Sequence, residues 1–512
     1  MRGLISLFLV LACLPEETGS LTVGGGSRKR VDPIRRVAIV GGGIAGLSLA
    51  HALKNSPSLC SKEDADKLEV TIFDSRAYLD YQVGSGVQLN GGMAVLGKIN
   101  PDVQKAAIEA AVPIGTLQAR TKSWKKGASE SKLWDLDITS IVRKAGGKAM
   151  EELMVDDRPL WYGIMRGALQ ETLMETLPKG ESMNVVFGKS LNGISAESEE
   201  AFCEFADGTR SGPFDVIVGC DGIKSAVKEY IEKGKISEDP STREGSAAAF
   251  YSGIRVGYAV KDGDESEKHK EPRSLKQVFA DGAYMLRATY GNGKDRPPCN
   301  CVFVISLDDN FNGPFKRKET RTASSVSENA DWTQDERKAK QDSQRRLIQQ
   351  LSSNNIPGDD VAPIIRESDR FFELGVYFHN PLTFIGWSKS IPFTNCCYAV
   401  VCGDSAHAMP PFLGQGSNQA IQDAFSLAQK IHYFNSNVKR GVSQDLEPLL
   451  KEYEKTRWAP TTSITAKAAI LGYLETGGRG GFYSKFRDIF FSILAFAGIP
   501  QSVVIDAATP KV

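Results

Sequence analysis

Six residues constrain this chain more than any other stretch: Gly41-Gly42-Gly43-Ile44-Ala45-Gly46. The apolar run Val37-Ala-Ile-Val40 ahead of them reads as a short buried strand. Behind them Leu47, Ala50 and Leu53 recur on one helical face. Strand, Gly-x-Gly-x-x-Gly turn and helix make the opening unit of a dinucleotide-binding α/β fold. Gly41 permits the tight turn, Gly43 lets the backbone meet a pyrophosphate, and Gly46 lets helix and strand pack closely. A second strand, Val70-Thr-Ile-Phe73, ends in Asp74, placed to accept ribose hydroxyls. The gap from Gly46 to Asp74 exceeds the usual ~20 residues, and the polar insert Ser56–Lys67 accounts for the excess.

A second stretch of the same kind lies far downstream. Tyr398-Ala-Val-Val-Cys402 reads as a buried strand, and Ala420, Ile421, Ala424, Leu427, Ala428 and Ile431 recur at helical spacing. Between them run Gly403-Asp404, the diproline Pro410-Pro411 and the loop Gly414-Gln415-Gly416-Ser417-Asn418. Asp404 at the strand end can accept hydrogen bonds from a polyol. Gly414 and Gly416 leave backbone N–H groups uncovered for a flat ligand. The helix beginning near Ser417 aims its positive end there, which suits a ring that becomes negative on reduction.

Between the two stretches, Phe202–Phe205 and Asp207-Gly208-Thr209 read as a hairpin, and Asp215-Val-Ile-Val-Gly219 as a central strand. That strand runs into Asp221-Gly222-Ile-Lys-Ser225-Ala-Val227-Lys228. Trp161–Arg166 leads into a helix carrying Leu169 and Leu173, with Arg166 offering a fork of donors for phosphate.

In this order the glycine loop, the Asp-Gly segment and the Gly-Asp segment resemble the flavoprotein monooxygenases of the para-hydroxybenzoate hydroxylase type, which include salicylate hydroxylase-like and zeaxanthin epoxidase-like enzymes. The resemblance spans roughly residues 36–460. It implies an α/β fold: a Rossmann-like FAD-binding domain with a mixed sheet, an antiparallel β-sheet substrate domain, and C-terminal helices. It places Gly41, Gly43, Ile44, Ala45, Gly46, Asp74, Arg76, Arg166, Asp221, Gly222, Asp404, Gly414, Gln415, Gly416, Ser417 and Asn418 at FAD. It implies NADH or NADPH as a transient co-substrate, since no second Gly-x-Gly-x-x-Gly is present for a resident one. Two positions depart from the family pattern. Lys228 stands where Arg is usual, which puts nicotinamide docking in question. Gly92 stands where many members carry Asn, so the loop Gly84–Gly92 receives no specific contact.

The 512 residues exceed one simple core. The expected division is 36–247 with 395–460 for FAD, 248–394 for substrate including a charged insert at 314–345, and 461–512 for a helical C-terminal region. In the substrate region Phe250–Val260, Leu275–Ala280, Tyr284–Tyr290 and Cys301–Leu307 have a strand-like period. Gln277, Tyr284 and Met285 are read either as pocket wall or as ordinary strand positions. Lys plus Arg and Asp plus Glu both number 62, so no global charge draws the chain to nucleic acid. The nine cysteines show neither disulfide-framework nor zinc-site spacing.

The apolar run Leu4–Leu14 after Arg2 resembles a signal-peptide core. With the basic stretch through Arg30 it resembles the bipartite import signal of algae with secondary plastids. A secreted or endoplasmic-reticulum protein is the alternative, and an uncleaved apolar N-terminus the third reading. Ile489–Pro500 is apolar but shorter than the ~20 residues a spanning helix needs. It reads as a docked core helix or as a membrane-surface attachment.

The function the resemblance implies is a monooxygenase using FAD, NAD(P)H and oxygen to hydroxylate or epoxidise an aromatic or isoprenoid small molecule. Its rivals are a flavin reductase or dehydrogenase of the same fold and a non-catalytic, membrane-associated FAD-binding protein. No side chain is assigned to catalysis. His407 is read as a support for its loop rather than as a base.

Overall fold

The computed structural model describes residues 32–512 except 83, 124–129, 238, 240–248, 264–271, 309–333, 369, 382–385, 443–444 and 478–480. The leader-like run Leu4–Leu14 and most of the charged insert therefore lie outside the described residues.

Strand β1 (Arg36–Val40) feeds helix α1 (Ile44–Lys54), then β2 (Glu69–Asp74). Strand β3 (Gly86–Leu89), helix α2 (Gly91–Ile99), strands β4 (Val112–Lys122) and β5 (Glu130–Asp137) follow. Next come β6 (Tyr162–Met165), α3 (Arg166–Glu175), β7 (Met183–Phe187), β8 (Val216–Gly219) and α4 (Ala226–Lys233). A separate three-stranded antiparallel sheet occupies part of residues 191–214. Strands β9 (Phe250–Asp262), β10 (Arg273–Phe279), β11 (Ala283–Tyr290) and β12 (Cys299–Leu307) match the strand-like runs of the sequence. The chain returns through β13 (Arg370–Phe378), β14 (Ser388–Ser390) and β15 (Tyr398–Val401). It finishes with α5 (Gly416–Lys439), α6 (Leu446–Thr476), α7 (Gly481–Phe496) and α8 (Ile499–Ala508).

The first sheet has the order β14-β15-β8-β1-β2-β7 and is parallel except at its β14 edge. Its central strands β1, β8 and β15 are almost wholly apolar and buried, as cover on both faces demands. All eleven residues of α1 are buried, because α5 covers its outer side. The second sheet has the order β13-β9-β12-β11-β10-β4-β6-β3, with β5 added on β4. Most pairs are antiparallel, as expected. The β4–β10 pair is parallel, because β4 arrives from the first half of the chain.

Thus Val112–Lys122, inside the stretch read as FAD-binding, belongs to the sheet of the substrate region. Conversely Ser388–Ser390 pairs with the FAD sheet. Helix α6 runs unbroken through residue 460 despite Pro460 inside it. Hydrophobic patterning marks strands but not which sheet a strand joins, and the two halves interleave.

Eight described cysteines are free, and all but Cys60 are buried. Within the C-terminal segment, α7 and α8 meet at a bend of 74°. Among the described residues no single helix is long and apolar enough to cross a membrane. The outer face of α7 exposes Phe482, Phe486, Ile489, Ile493 and Phe496 at helical spacing.

Candidate active site

Three segments distant in sequence meet at one sheet edge. Val40 pairs with Gly219, and Gly219 with Val401, so β1, β8 and β15 end side by side. The turns after them carry Gly41, Asp221 and Asp404. This is the carboxyl-end crevice where open α/β sheets bind ligands. The turns also bond to one another: Gly222 N–H donates to Ser405 Oγ at 2.9 Å, and Ser405 Oγ donates to Asp221 Oδ1 at 3.2 Å.

A cavity of about 600 Å³ opens from this edge and continues between the second sheet and α6–α8. Of the residues read as FAD contacts, ten line it: Gly43, Ile44, Ala45, Arg166, Gly222, Asp404, Gly414, Gln415, Gly416 and Ser417. Arg166 and Asp404 are exposed toward it.

Six do not line it, and each has another physical role. Gly41 has φ +111°, and a Cβ there would lie 2.3 Å from the Cys220 carbonyl oxygen. A Cβ on Gly46 would lie 2.0 Å from the Gly41 carbonyl oxygen. Both glycines serve chain packing. Asp74 accepts the Gly42 N–H at 2.8 Å and is gripped by Arg76 through Nε and Nη2, both at 2.8 Å. Burial raises the Asp74 carboxyl, but the Arg76 contacts outweigh it and hold it below the usual range. The pair orders the glycine loop, and a ribose contact by Asp74 would need Arg76 to swing aside.

Asp221 accepts the Ala226 N–H at 2.7 Å, bracing the start of α4. Asn418 is fully buried and accepts the N–H groups of Asn90 and Gly92 at 2.9 and 2.8 Å. Its amide donates to the carbonyls of Gln88 and Gly414 at 2.8 and 3.1 Å. Asn418 therefore clamps the β3–α2 turn onto the Gly414 loop. This also explains Gly92: a Cβ there would sit 2.8 Å from Asn418 Oδ1.

Alternation along the strands sorts the three wall candidates. Gln277 and Tyr284 line the cavity with Phe279 and Leu286, whereas Met285 points to the opposite face, into a cluster with Val278, Val302 and Leu347. His407 lies 2.5 Å from Asp423 Oδ2 and does not line the cavity, as a supporting role requires. Two contributors were missed. Gln88 lines the cavity and accepts from Trp161 Nε1 at 3.2 Å; its signal was the glycine-rich stretch Gly84–Gly92. Glu475, on the last turn of α6, lines it too, with no motif to mark it.

The site fits FAD on its own geometry. A Cβ added at Gly43 would meet no protein atom within 4 Å, so the backbone there is open to a pyrophosphate. The N-terminus of α5 has no side-chain cap, and Gly416 and Ser417 line the cavity beside it. Gln415 Oε1 is buried without a partner, as an atom awaiting a ligand would be.

Comparison with known proteins agrees. Residues 399–467 match the FAD binding domain description and residues 39–106 the NAD(P)-binding Rossmann-like domain. The FAD-dependent monooxygenase pigN of Monascus ruber is 22% identical over 86% of this chain and 88% of its own. Salicylate hydroxylase of Pseudomonas putida is 25% identical over 83% and 82%. The chain is thus similar to FAD-dependent flavoprotein monooxygenases over most of its length. Among solved structures, Klebsiella pneumoniae HpxO complexed with FAD and uric acid superposes with a TM-score of 0.62 at 15% identity, covering 93% of this chain and 97% of that one. The protein is an oxidoreductase that binds FAD, and its two-part fold is that of the solved FAD complex.

Proposed function

We propose that this flavoprotein uses NADH or NADPH and oxygen to hydroxylate an aromatic small molecule. One observation carries the reading: a single cavity joins the cofactor segments to a wall of Phe279, Tyr284, Tyr290 and Phe303 on the second sheet. Salicylate hydroxylase supports the substrate class by likeness. Bound FAD supplies the oxygen chemistry. The chain's share is to hold the dinucleotide with Gly43, Gly414 and Gly416, to offer the α5 N-terminus to negative charge, and to keep water from an apolar pocket.

Stopped-flow measurement with NADPH or NADH and an aromatic panel tests this. Substrate-stimulated flavin bleaching, followed by oxygen uptake matching product, is expected. Bleaching with no oxygen in the product would make the protein a reductase or dehydrogenase, and no bleaching with any substrate a binding protein.

Epoxidation of an isoprenoid is the second reading, favoured by α7. Its inner face gives Phe491 and Leu494 to the cavity while its outer face exposes the apolar stripe. We propose peripheral membrane contact through that stripe. Loss of liposome flotation in Phe486→Ser/Phe496→Ser would support it, and unchanged behaviour would remove it. The import reading of residues 1–35 is likewise a proposal, tested by where a fluorescent fusion of those residues accumulates.

A further inference from the structure

Three side chains of the acidic and basic residue types line the cavity among the described residues: Arg166, Asp404 and Glu475. The first two stand at the cofactor end. Glu475 stands on the far side, against the second sheet.

Its surroundings are unusual for a carboxyl group. Glu475 is 2% exposed, and its Oε2 atom is buried with no hydrogen-bond partner. Tyr284, reaching from β11, is its hydrogen-bonding neighbour. Arg487, from α7, is the nearby cation, but its guanidinium is engaged elsewhere. Nε and Nη2 hold Asp488 at 3.1 and 2.9 Å, and Nη1 donates to the backbone carbonyls of Ala280 and Glu475 at 2.8 and 3.2 Å. Asp488 in turn accepts from Thr121. Glu475 also occupies the C-terminal turn of a long helix, where the backbone dipole disfavours negative charge. Burial pushes its carboxyl up to about 8, so it is protonated at neutral pH.

A neutral carboxyl beside a tyrosine hydroxyl both donates and accepts. An orphaned buried oxygen is costly unless a ligand completes it. We propose that Glu475 and Tyr284 form the polar end of the substrate pocket and hold a neutral hydroxyl or amide group on an otherwise apolar aromatic substrate. The same end selects against a carboxylate, because no described cation lines that side of the cavity. The inference rests on the aromatic reading of the pocket but not on turnover.

Three probes of one ring system test it on the purified holoenzyme: 2-naphthol, 2-methylnaphthalene and 2-naphthoate. Binding is read from perturbation of the flavin absorbance. At pH 7 the naphthol is expected to bind about tenfold or more tighter than either partner, as buried polar recognition gives. Glu475→Leu is expected to erase that preference with flavin content unchanged. Glu475→Gln is expected to keep it at pH 7. Between pH 6.5 and 8.5 the wild-type preference declines as the carboxyl ionises, whereas Glu475→Gln stays flat.

The proposal falls if the naphthol shows no preference or no binding, if the naphthoate binds as tightly, or if Glu475→Leu keeps the preference. Should Glu475→Leu not fold, the pH profile of Glu475→Gln decides: a decline matching wild type overturns the assignment. These readouts are equilibrium binding, so a protein that binds without consuming oxygen fails the proposed reaction while leaving the pocket inference intact.

Discussion

Arg457 Nε meets Asp423 Oδ1 at 2.7 Å with neither side chain exposed to solvent. The other Asp423 oxygen receives the Gly403 N–H at 2.9 Å and faces His407 Nε2. One buried carboxylate thus ties α6 to the Gly-Asp turn. Burial raises Asp423, but His407 and Arg457 outweigh it and keep it ionised below its usual range. Breaking one side of a buried pair leaves an uncompensated charge, worth about 3–5 kcal/mol. Arg457→Met is therefore expected to lower unfolding free energy by about 3 kcal/mol and to weaken flavin retention. Urea denaturation and the flavin-to-protein absorbance ratio check both, and a variant as stable as wild type would refute the role.

The glycines of the first loop separate chemistry from packing. A side chain at Gly43 meets only the space assigned to pyrophosphate, whereas one at Gly46 strikes the Gly41 carbonyl. Gly43→Val is expected to purify folded, with a native far-UV spectrum, but without flavin. Gly46→Val is expected not to fold. Full flavin occupancy in the first variant would remove Gly43 from the site.

Much of this arrangement was legible in the sequence, for a physical reason. Buried parallel strands are short apolar runs, and the turns after them need glycine and acidic residues at fixed offsets. Hence Gly43, Asp404 and the Gly414–Ser417 loop were found where they lie. What periodicity could not give was the direction of polar side chains. Asp221, Asp74 and Asn418 are the right residue types in the right segments, yet each bonds to backbone or to a neighbour rather than facing the cavity. Glu475 was invisible because a carboxyl on an otherwise ordinary helix carries no motif, and only the fold shows what it meets. Met285 shows the same limit at smaller scale, since a one-residue error in strand phase reverses the face.

Asn418 and Gly92 make a coupled pair. Removing the Asn418 amide leaves the Asn90 and Gly92 donors and the Gln88 and Gly414 acceptors without their partner. Asn418→Ala is expected to cost about 2 kcal/mol or more. Gly92→Ala is expected to destabilise wild type by crowding Asn418, and to do so less in the Asn418→Ala background, where the oxygen at 2.8 Å is gone while the position-418 Cα and Ile421 Cδ1 remain at 3.0 Å. A double-mutant cycle by thermal denaturation reads the difference. Strict additivity would dissolve the coupling.

Lys228, where the monooxygenases this chain resembles carry Arg, gives a pH-dependent prediction. Its Nζ donates to the Ala406 carbonyl at 2.9 Å and lies 3.2 Å from His379 Nδ1, joining α4 to the Gly-Asp turn. Burial pulls its ammonium down from 10.5 to about 7. His379 is pulled down to about 3, by burial first and then by Lys228, so it stays neutral. Above about pH 7 the folded chain has released the Lys228 proton, while the unfolded chain keeps it until about 10.5. The unfolded state then binds more protons, so this site adds stability as pH rises through that window and withdraws it as pH falls toward 7. Lys228→Met lacks the site. The stability of wild type relative to Lys228→Met is accordingly expected to grow between pH 7 and pH 9, measured by urea denaturation at each pH. Parallel curves would mean that Lys228 keeps its proton in the folded state. The contact with His379 would then be an ammonium donating to a neutral imidazole, and His379→Leu, which removes that acceptor, should lower stability across the same pH range.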